Sequence, residues 1–214
     1  SSFQNQVINA VKLFFRKTSN REIDFAQIER PRKEYKLPNV LSKEEVKSIL
    51  DAPLNLKHRA MLSLIYGCGL RRSELLNLKP EDISSNRGLL VIRQSKGNKD
   101  RVVSISEKLI GLLREYFIAY KPAIWLFEGY NKGEQYSTAS LQEVLKKRVI
   151  KARIRKPVTL HWLRHSYATH LLESGTDLRY IQELLGHKSS HTTEIYTHVS
   201  RKSIQQIKSP FDDL

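Results

Sequence analysis

Cysteine is nearly absent from this 214-residue chain, and the single one, Cys68, has no partner for an internal disulfide. Its neighbours Leu64, Ile65 and Tyr66 are apolar, so it reads as a small buried filler in a protein of a reducing cytoplasm. Long apolar runs are missing too. Charges interrupt every stretch well before the roughly 18 residues that a membrane span needs, and neither a span nor a signal peptide is expected. No membrane role is expected. Acidic residues are scarce, 22 against 37 Lys plus Arg, which leaves a formal charge of +15. Such an excess costs self-repulsion unless a polyanion offsets it, and this points to nucleic acid or another anionic surface. Repeats and low-complexity segments are also lacking, and 40% apolar residues suit a globular core.

What is present begins with QNQVINAVKLFFR, residues 4–16, where Val7, Ile8, Val11, Phe14 and Phe15 fall at helical spacing. A polar, charged stretch follows, and ERPRKEYKLPNV, with Pro31 and Pro38, reads as an extended linker. Residues 1–36 are therefore expected to be the last helix of a truncated preceding domain plus its linker, and 37–214 the main domain. In LSKEEVKSIL, Ser42 and Glu45 form a capping box, and Leu41 with Val46 a hydrophobic staple. Further helices are expected over 57–66, ended by Gly67 and Gly69, and through RRSELLNL up to Pro80. LLVIRQSKGNKDRVVSI changes the period to two β-rich runs around a turn, the pattern of a hairpin. Helices over 107–120, 137–151 and 159–174 follow, and a last one runs from a cap at Asp177 to Leu185 with Gly186 behind it. The fold class is α+β, mostly α, with a small antiparallel sheet.

Four short stretches gather cationic and imidazole groups. In GCGLRRSELLNL, Arg71 follows two glycines at a helix start and can point away from the core while Leu75, Leu76 and Leu78 are buried. In SKGNKDR, Lys96 rides the hairpin tip beside Gly97 and Asn98, with Lys99 and Arg101 as alternative phosphate contacts. In TLHWLRHSYATHLL, Thr159 is a candidate cap, and His161 and Arg164 share one helix face. In GHKSSHTTEIYTHV, His187 precedes Tyr196, while His191 and His198 have no assigned role.

Phosphodiester chemistry needs such a set. Negative charge builds on the non-bridging oxygens, and the forked guanidiniums of Arg71 and Arg164 match them, as a metal ion does elsewhere. A leaving 5'-oxygen needs a proton, which Lys96 can supply if neighbouring cations lower its pKa. A phenol with a pKa of about 10 needs a base or a cationic field to act as nucleophile at neutral pH. For Tyr196 the candidate base is His161, with His187 donating to the phosphate. Taken singly each of these residues has a bland reading, a surface cation or a packed tyrosine; the ordered set carries the inference.

Arg71, Lys96, His161-x-x-Arg164, His187 and Tyr196, in this order, resemble the tyrosine recombinases, the group of phage-type integrases and Xer-type resolvases. The similarity runs from about Leu37 to the end, and the final residues, with SPFDDL, look like integrases of bacterial mobile elements. The resemblance implies cleavage of one DNA strand by Tyr196, a covalent 3'-phosphotyrosyl intermediate and religation without metal, ATP or other cofactor. It also implies that a carboxylate at Glu74 braces the site by holding Arg71. Double-stranded DNA recombination sites are the implied partner, bound by a tetramer in the bacterial cytoplasm, at the nucleoid. A monomer in solution is expected for a chain lacking most of one DNA clamp. The arm, about residues 201–214, with Ile204, Ile207, Phe211 and Leu214, would dock on a neighbouring protomer.

Other readings stay open beside this one. His161 and His165 are four apart like zinc ligands, but Trp162 stands where a zinc protease helix needs Glu, and His165 and His170 read as polar residues at a helix surface. KKRVIKARIRK, residues 146–156, reads as a surface against the DNA backbone rather than a merely solvated face. A DNA-binding regulator that does not cut and a relaxing topoisomerase of the same chemistry are the rival functions.

Overall fold

The computed structural model describes residues 2–18, 38–52, 55–95, 99–187 and 189–197. The chain divides into two compact units, Ser1–Lys36 and Leu37–Leu214. In the first, the described element is helix α1 (Ser2–Thr18), slightly longer at both ends than its apolar spacing suggests. Lys96, His198 and the expected docking arm lie outside the described residues.

The second unit opens with α2 (Lys43–Asp51), whose start follows from its sequence. Ser42 Oγ accepts from the Glu45 N–H at 3.2 Å, and the Glu45 carboxylate accepts from the Ser42 N–H at 2.9 Å. Leu41 and Val46, the staple, are buried. Helix α3 (Leu56–Cys68), capped by the Asn55 side chain, buries Ala60, Met61, Leu62, Leu64, Ile65 and Cys68. Those residues cover most of its circumference, so α3 is the central helix of the unit. Burial pushes the Cys68 thiol up to about 12, which leaves it an inert filler. Helix α4 (Arg72–Leu76) is shorter than the sequence pattern suggests, because the chain turns at Asn77 and Pro80–Asp82 form a separate 3-10 turn.

The sheet is antiparallel in the order β1 (Ile83–Ser84), β2 (Leu89–Ser95), β3 (Lys99–Ser104). Two-residue β1 carries no periodicity and is an addition to the expected hairpin. Leu90 pairs with Val103 and Ile92 with Arg101, so these four share one face. Leu90, Ile92 and Val103 are buried while Val102 is exposed, and strand parity alone turns Arg101 inward.

Helices α5 (Glu107–Tyr120), α6 (Thr138–Lys151) and α7 (Leu160–Glu173) pack on α3. Thr159 holds the N-cap position of α7, but its side chain makes no capping bond. One arginine of the basic run over 146–156 turns inward. Arg148 is fully buried and donates to the carbonyls of Ile49, Leu50 and Ala52, where it caps the end of α2. Helix α8 (Leu178–Leu185), capped by Asp177, and the four-residue α9 (His191–Glu194) complete the described chain. Besides the main core there is a second, small cluster of Ala168, Ile181, Leu185 and Tyr196, contributed by α7, α8 and the turn after α9. Among the described residues no helix is long and apolar enough to cross a membrane.

Candidate active site

Helices α3 and α8 end in the same way. Gly69 (φ 60°) and Gly186 (φ 62°) take the left-handed conformation. The Leu70 N–H then reaches back to Ile65 O at 3.2 Å, and the His187 N–H to Gln182 O at 3.1 Å. Each reversal delivers a site residue: Arg71 shortly after Gly69, His187 directly after Gly186. The last carbonyls of a helix lack intrahelical donors and form the negative end of its dipole. At α8 three guanidiniums meet them. Arg101 Nε donates to Leu184 O at 2.8 Å, Arg164 Nη2 to Leu185 O at 2.6 Å, and Arg71 Nη2 to Gly186 O at 3.2 Å. Arg164 Nη1 also donates to Gly69 O, which ties α7 to the end of α3.

Three clustered cations need a counter-charge, and Glu74 provides it from the first turn of α4. Its carboxylate accepts from Arg71 N–H and Arg71 Nη1, both at 2.7 Å, and bidentately from Arg101 Nη1 at 2.8 Å and Nη2 at 2.7 Å. Arg164 Nη1 lies 3.6 Å away. Burial alone would raise the Glu74 pKa, but the bonds and charge of Arg101, then Arg71, hold it down to about 2. The brace on Arg71 that the family resemblance implies is therefore present, and Arg101 shares it. Burial, and then the nearby Arg71, push Arg164 down to about 9, so it remains charged at neutral pH.

The histidines line the opposite side of this hub. Arg164 Nη2 lies 3.3 Å from His187 Nε2. A guanidinium can only donate, so Nε2 is the acceptor, and Nδ1 carries the proton and donates to Thr193 Oγ1 at 2.9 Å. The His187 ring is near-parallel to that of Tyr196, 14° off with centroids 6.4 Å apart. The Tyr196 hydroxyl is hydrogen-bonded to His165 Nδ1 at 3.0 Å. Burial pushes Tyr196 up to about 12, partly offset by Arg164 and Arg71. Burial, with the cationic surroundings, lowers His165 to about 4 and His187 to about 3, so both are neutral at pH 7. His161 is more exposed than His165, with its ring 6.2 Å from that of His165, and its pKa is lowered by partial desolvation of the ring and by Arg164, Arg72 and Arg71.

The structure thus gathers Arg71, His161, Arg164, His187 and Tyr196 around the ends of α3 and α8. Three corrections accompany this. His165, expected at a helix surface, is half-buried and is the imidazole bonded to the phenol, with His161, the candidate base, next to it at 6.2 Å between ring centroids. His170 is also not at the surface; it is buried and bonded through Nδ1 to Tyr66 OH at 2.9 Å. Arg101, an alternative phosphate contact in the sequence, is spent on Glu74 and Leu184. Sequence reasoning passed over Thr193 altogether.

Residues 39–203 match the phage integrase family. The chain belongs to that family. A protein of Sinorhizobium fredii named as an integrase/recombinase, y4qK, is 42% identical over 206 residues, 96% of this chain and 67% of its own length. The tyrosine recombinase XerA of Pyrococcus horikoshii is 39% identical over 205 residues, 94% of this chain and 71% of the relative. Among solved structures, that of a XerA recombinase superposes with a TM-score of 0.73 at 31% identity, covering 96% of this chain and 74% of that one. A XerH site-specific recombinase bound to a palindromic difH substrate, in a post-cleavage complex, gives 0.71 at 31% identity, covering 83% and 54%. This integrase-family chain is a tyrosine-type site-specific recombinase. The fold class read from the sequence, helical with a small antiparallel sheet, is the one found.

Proposed function

We propose that this recombinase cuts and rejoins DNA strands at specific sites through Tyr196, which attacks a phosphodiester and forms a 3'-phosphotyrosyl link. The observation that carries this is one connected array. Glu74 fixes Arg71 and Arg164, Arg164 contacts His187, and Tyr196 lies between His187 and His165. Arg71 and Arg164 would hold the non-bridging oxygens of the scissile phosphate in place of a metal ion. Arg71 is the more accessible of the two, with 19% of its side chain exposed against 4% for Arg164, and would be the first to meet an incoming phosphate. Lys96 would protonate the leaving 5'-oxygen. Because the phosphotyrosyl link retains the energy of the broken bond, rejoining requires no ATP.

Tyr196 is only 1% exposed, so the pocket must open around its hydroxyl to admit a phosphate while the bond to His165 is kept. The arrangement described is a resting one. His187 can donate to a phosphate only after Arg164 releases Nε2 and the ring changes tautomer, which a docked phosphate drives by drawing Arg164 to itself. The substrate is double-stranded DNA carrying recombination sites, a reading supported by the charge of +15 and by XerH relatives bound to difH DNA. Assembly as a tetramer on paired sites belongs to the same proposal, as does the view of residues 1–36 as the end of a preceding DNA-clamping domain. The test is a nicked suicide duplex that lets the cut end diffuse away and traps covalent protein. The parent forms a denaturant-resistant adduct and Tyr196→Phe forms none; equal adduct in both removes Tyr196 as nucleophile.

A further inference from the structure

His165 is left unused by the scheme above, although it touches the reacting oxygen. It sits one helical turn after His161 and directly after Arg164, so α7 fixes all three together. Its Nδ1 is 3.0 Å from the Tyr196 hydroxyl, with ring centroids 5.7 Å apart and planes inclined by 53°. That separation is within reach of a direct proton transfer. His187 is bonded elsewhere, through Nε2 to Arg164 and through Nδ1 to Thr193, and once a phosphate draws Arg164 away its Nε2 is assigned to that phosphate.

We infer that His165 is the general base of the cleavage step, accepting the phenolic proton of Tyr196 on Nδ1 and returning it on rejoining. This rests on Tyr196 being the nucleophile. In cleavage the phenolic O–H breaks, the proton goes to His165 Nδ1 and the oxygen forms a bond to phosphorus. The P–O5' bond breaks with its electron pair on the 5'-oxygen, which takes a proton from the separate acid assigned to Lys96. Rejoining reverses each transfer.

The groups facing the pair explain why the step waits for substrate. His161 and Arg164 on α7 and His187 after α8 surround His165, and burial with the first two holds it down to about 4. Tyr196 is pushed up to about 12, so in the free protein the proton stays on the phenol. A phosphodiester anion docked on Arg71 and Arg164 offsets that cationic field and favours the imidazolium. Ionisation of the nucleophile is thereby coupled to the presence of DNA.

The experiment measures single-turnover covalent capture by the full chain on suicide duplexes, with an ordinary or a 5'-bridging phosphorothiolate at the scissile position. His165→Ala removes the imidazole. His165→Asn keeps a polar atom near the Nδ1 position and can retain the hydrogen bond, but it cannot take up a proton. Both variants are expected to slow capture by about 100-fold or more while binding DNA like the parent. The defect persists on the phosphorothiolate, whose sulfur leaves without a proton, and added imidazole partly restores His165→Ala. Parental capture by either variant overturns the base role, and parental capture by His165→Asn alone would mean that the hydrogen bond merely positions the phenol. Recovery on the phosphorothiolate would assign His165 to the leaving group instead. Tyr196→Phe is run alongside: an adduct there removes the nucleophile reading itself, whereas its absence together with fast His165→Asn removes only the base.

Discussion

The two halves of the site are held by different forces. On one side Glu74 accepts four charge-assisted bonds from Arg71 and Arg101 at 2.7–2.8 Å, and it is 6% exposed. On the other, the Tyr196 hydroxyl makes one neutral bond to His165 at 3.0 Å, and the ring packs in a small cluster beside a four-residue helix. Charged bonds in a buried setting are the stronger kind, and removing one partner leaves the others uncompensated. The difference teaches a division of labour. On the proposed reading the cationic receptor for phosphate is prebuilt, and the nucleophile is docked beside it by one neutral bond and a small apolar cluster.

The largest effect expected from breaking this contrast comes at Glu74. Glu74→Ala leaves Arg71, Arg101 and Arg164 without their shared counter-charge and should cost about 3–5 kcal/mol in urea denaturation, with capture lost. Next comes Gly69→Ala. A Cβ there would stand 2.5 Å from Tyr167 Cδ1 on a backbone with φ +60°, and the carbonyl that receives Arg164 would shift. A loss of about 2–3 kcal/mol is expected. A shallower effect appears with pH. His165 and His187 have folded pKa values of about 4 and 3, below the usual 6.5, so between those limits the unfolded chain binds more protons. Their neutral forms therefore contribute stability that is fully present above about 6.5 and lost as pH falls through about 4 and 3. Denaturation midpoints should drop over that window, and His165→Asn should flatten the slope. Glu74 works lower: its contribution persists above the ordinary carboxylate range and disappears only as pH falls through about 2. The smallest effect is Thr193→Val, which removes the acceptor of His187 Nδ1–H from a fully buried position. About 1–2 kcal/mol is expected, together with slower capture as His187 loses its orientation.

Much of this was legible in the chain because it is written in local rules. The capping box at Ser42, the helix-ending Gly69 and Gly186 and the hairpin follow from backbone chemistry within a few residues, although Gly67, expected to end a helix, lies inside α3, and the ordered set Arg71, His161, Arg164, His187 and Tyr196 pointed to one reaction. What was missed depends on partners far apart in sequence. Arg101 shares strand parity with the buried Val103, a signal that was available, but its partner Glu74 is 27 residues away. Arg148 falls on the same helical face as the buried Leu141, Val144, Leu145 and Val149, yet its charge masked that pattern. His165 had no such signal, because its bond to Tyr196 spans 31 residues and the ends of α7, α8 and α9.

The most direct test of the division between a fixed receptor and a docked nucleophile is to map the covalent junction. DNA trapped on a suicide duplex would be digested with nuclease, the protein cut with protease, and the modified peptide sequenced by mass spectrometry. A nucleotide 3'-phosphate on Tyr196, in the peptide around HTTEIY, is the predicted result. A nucleotide on any other residue, or cleavage that leaves no covalent protein, would contradict it.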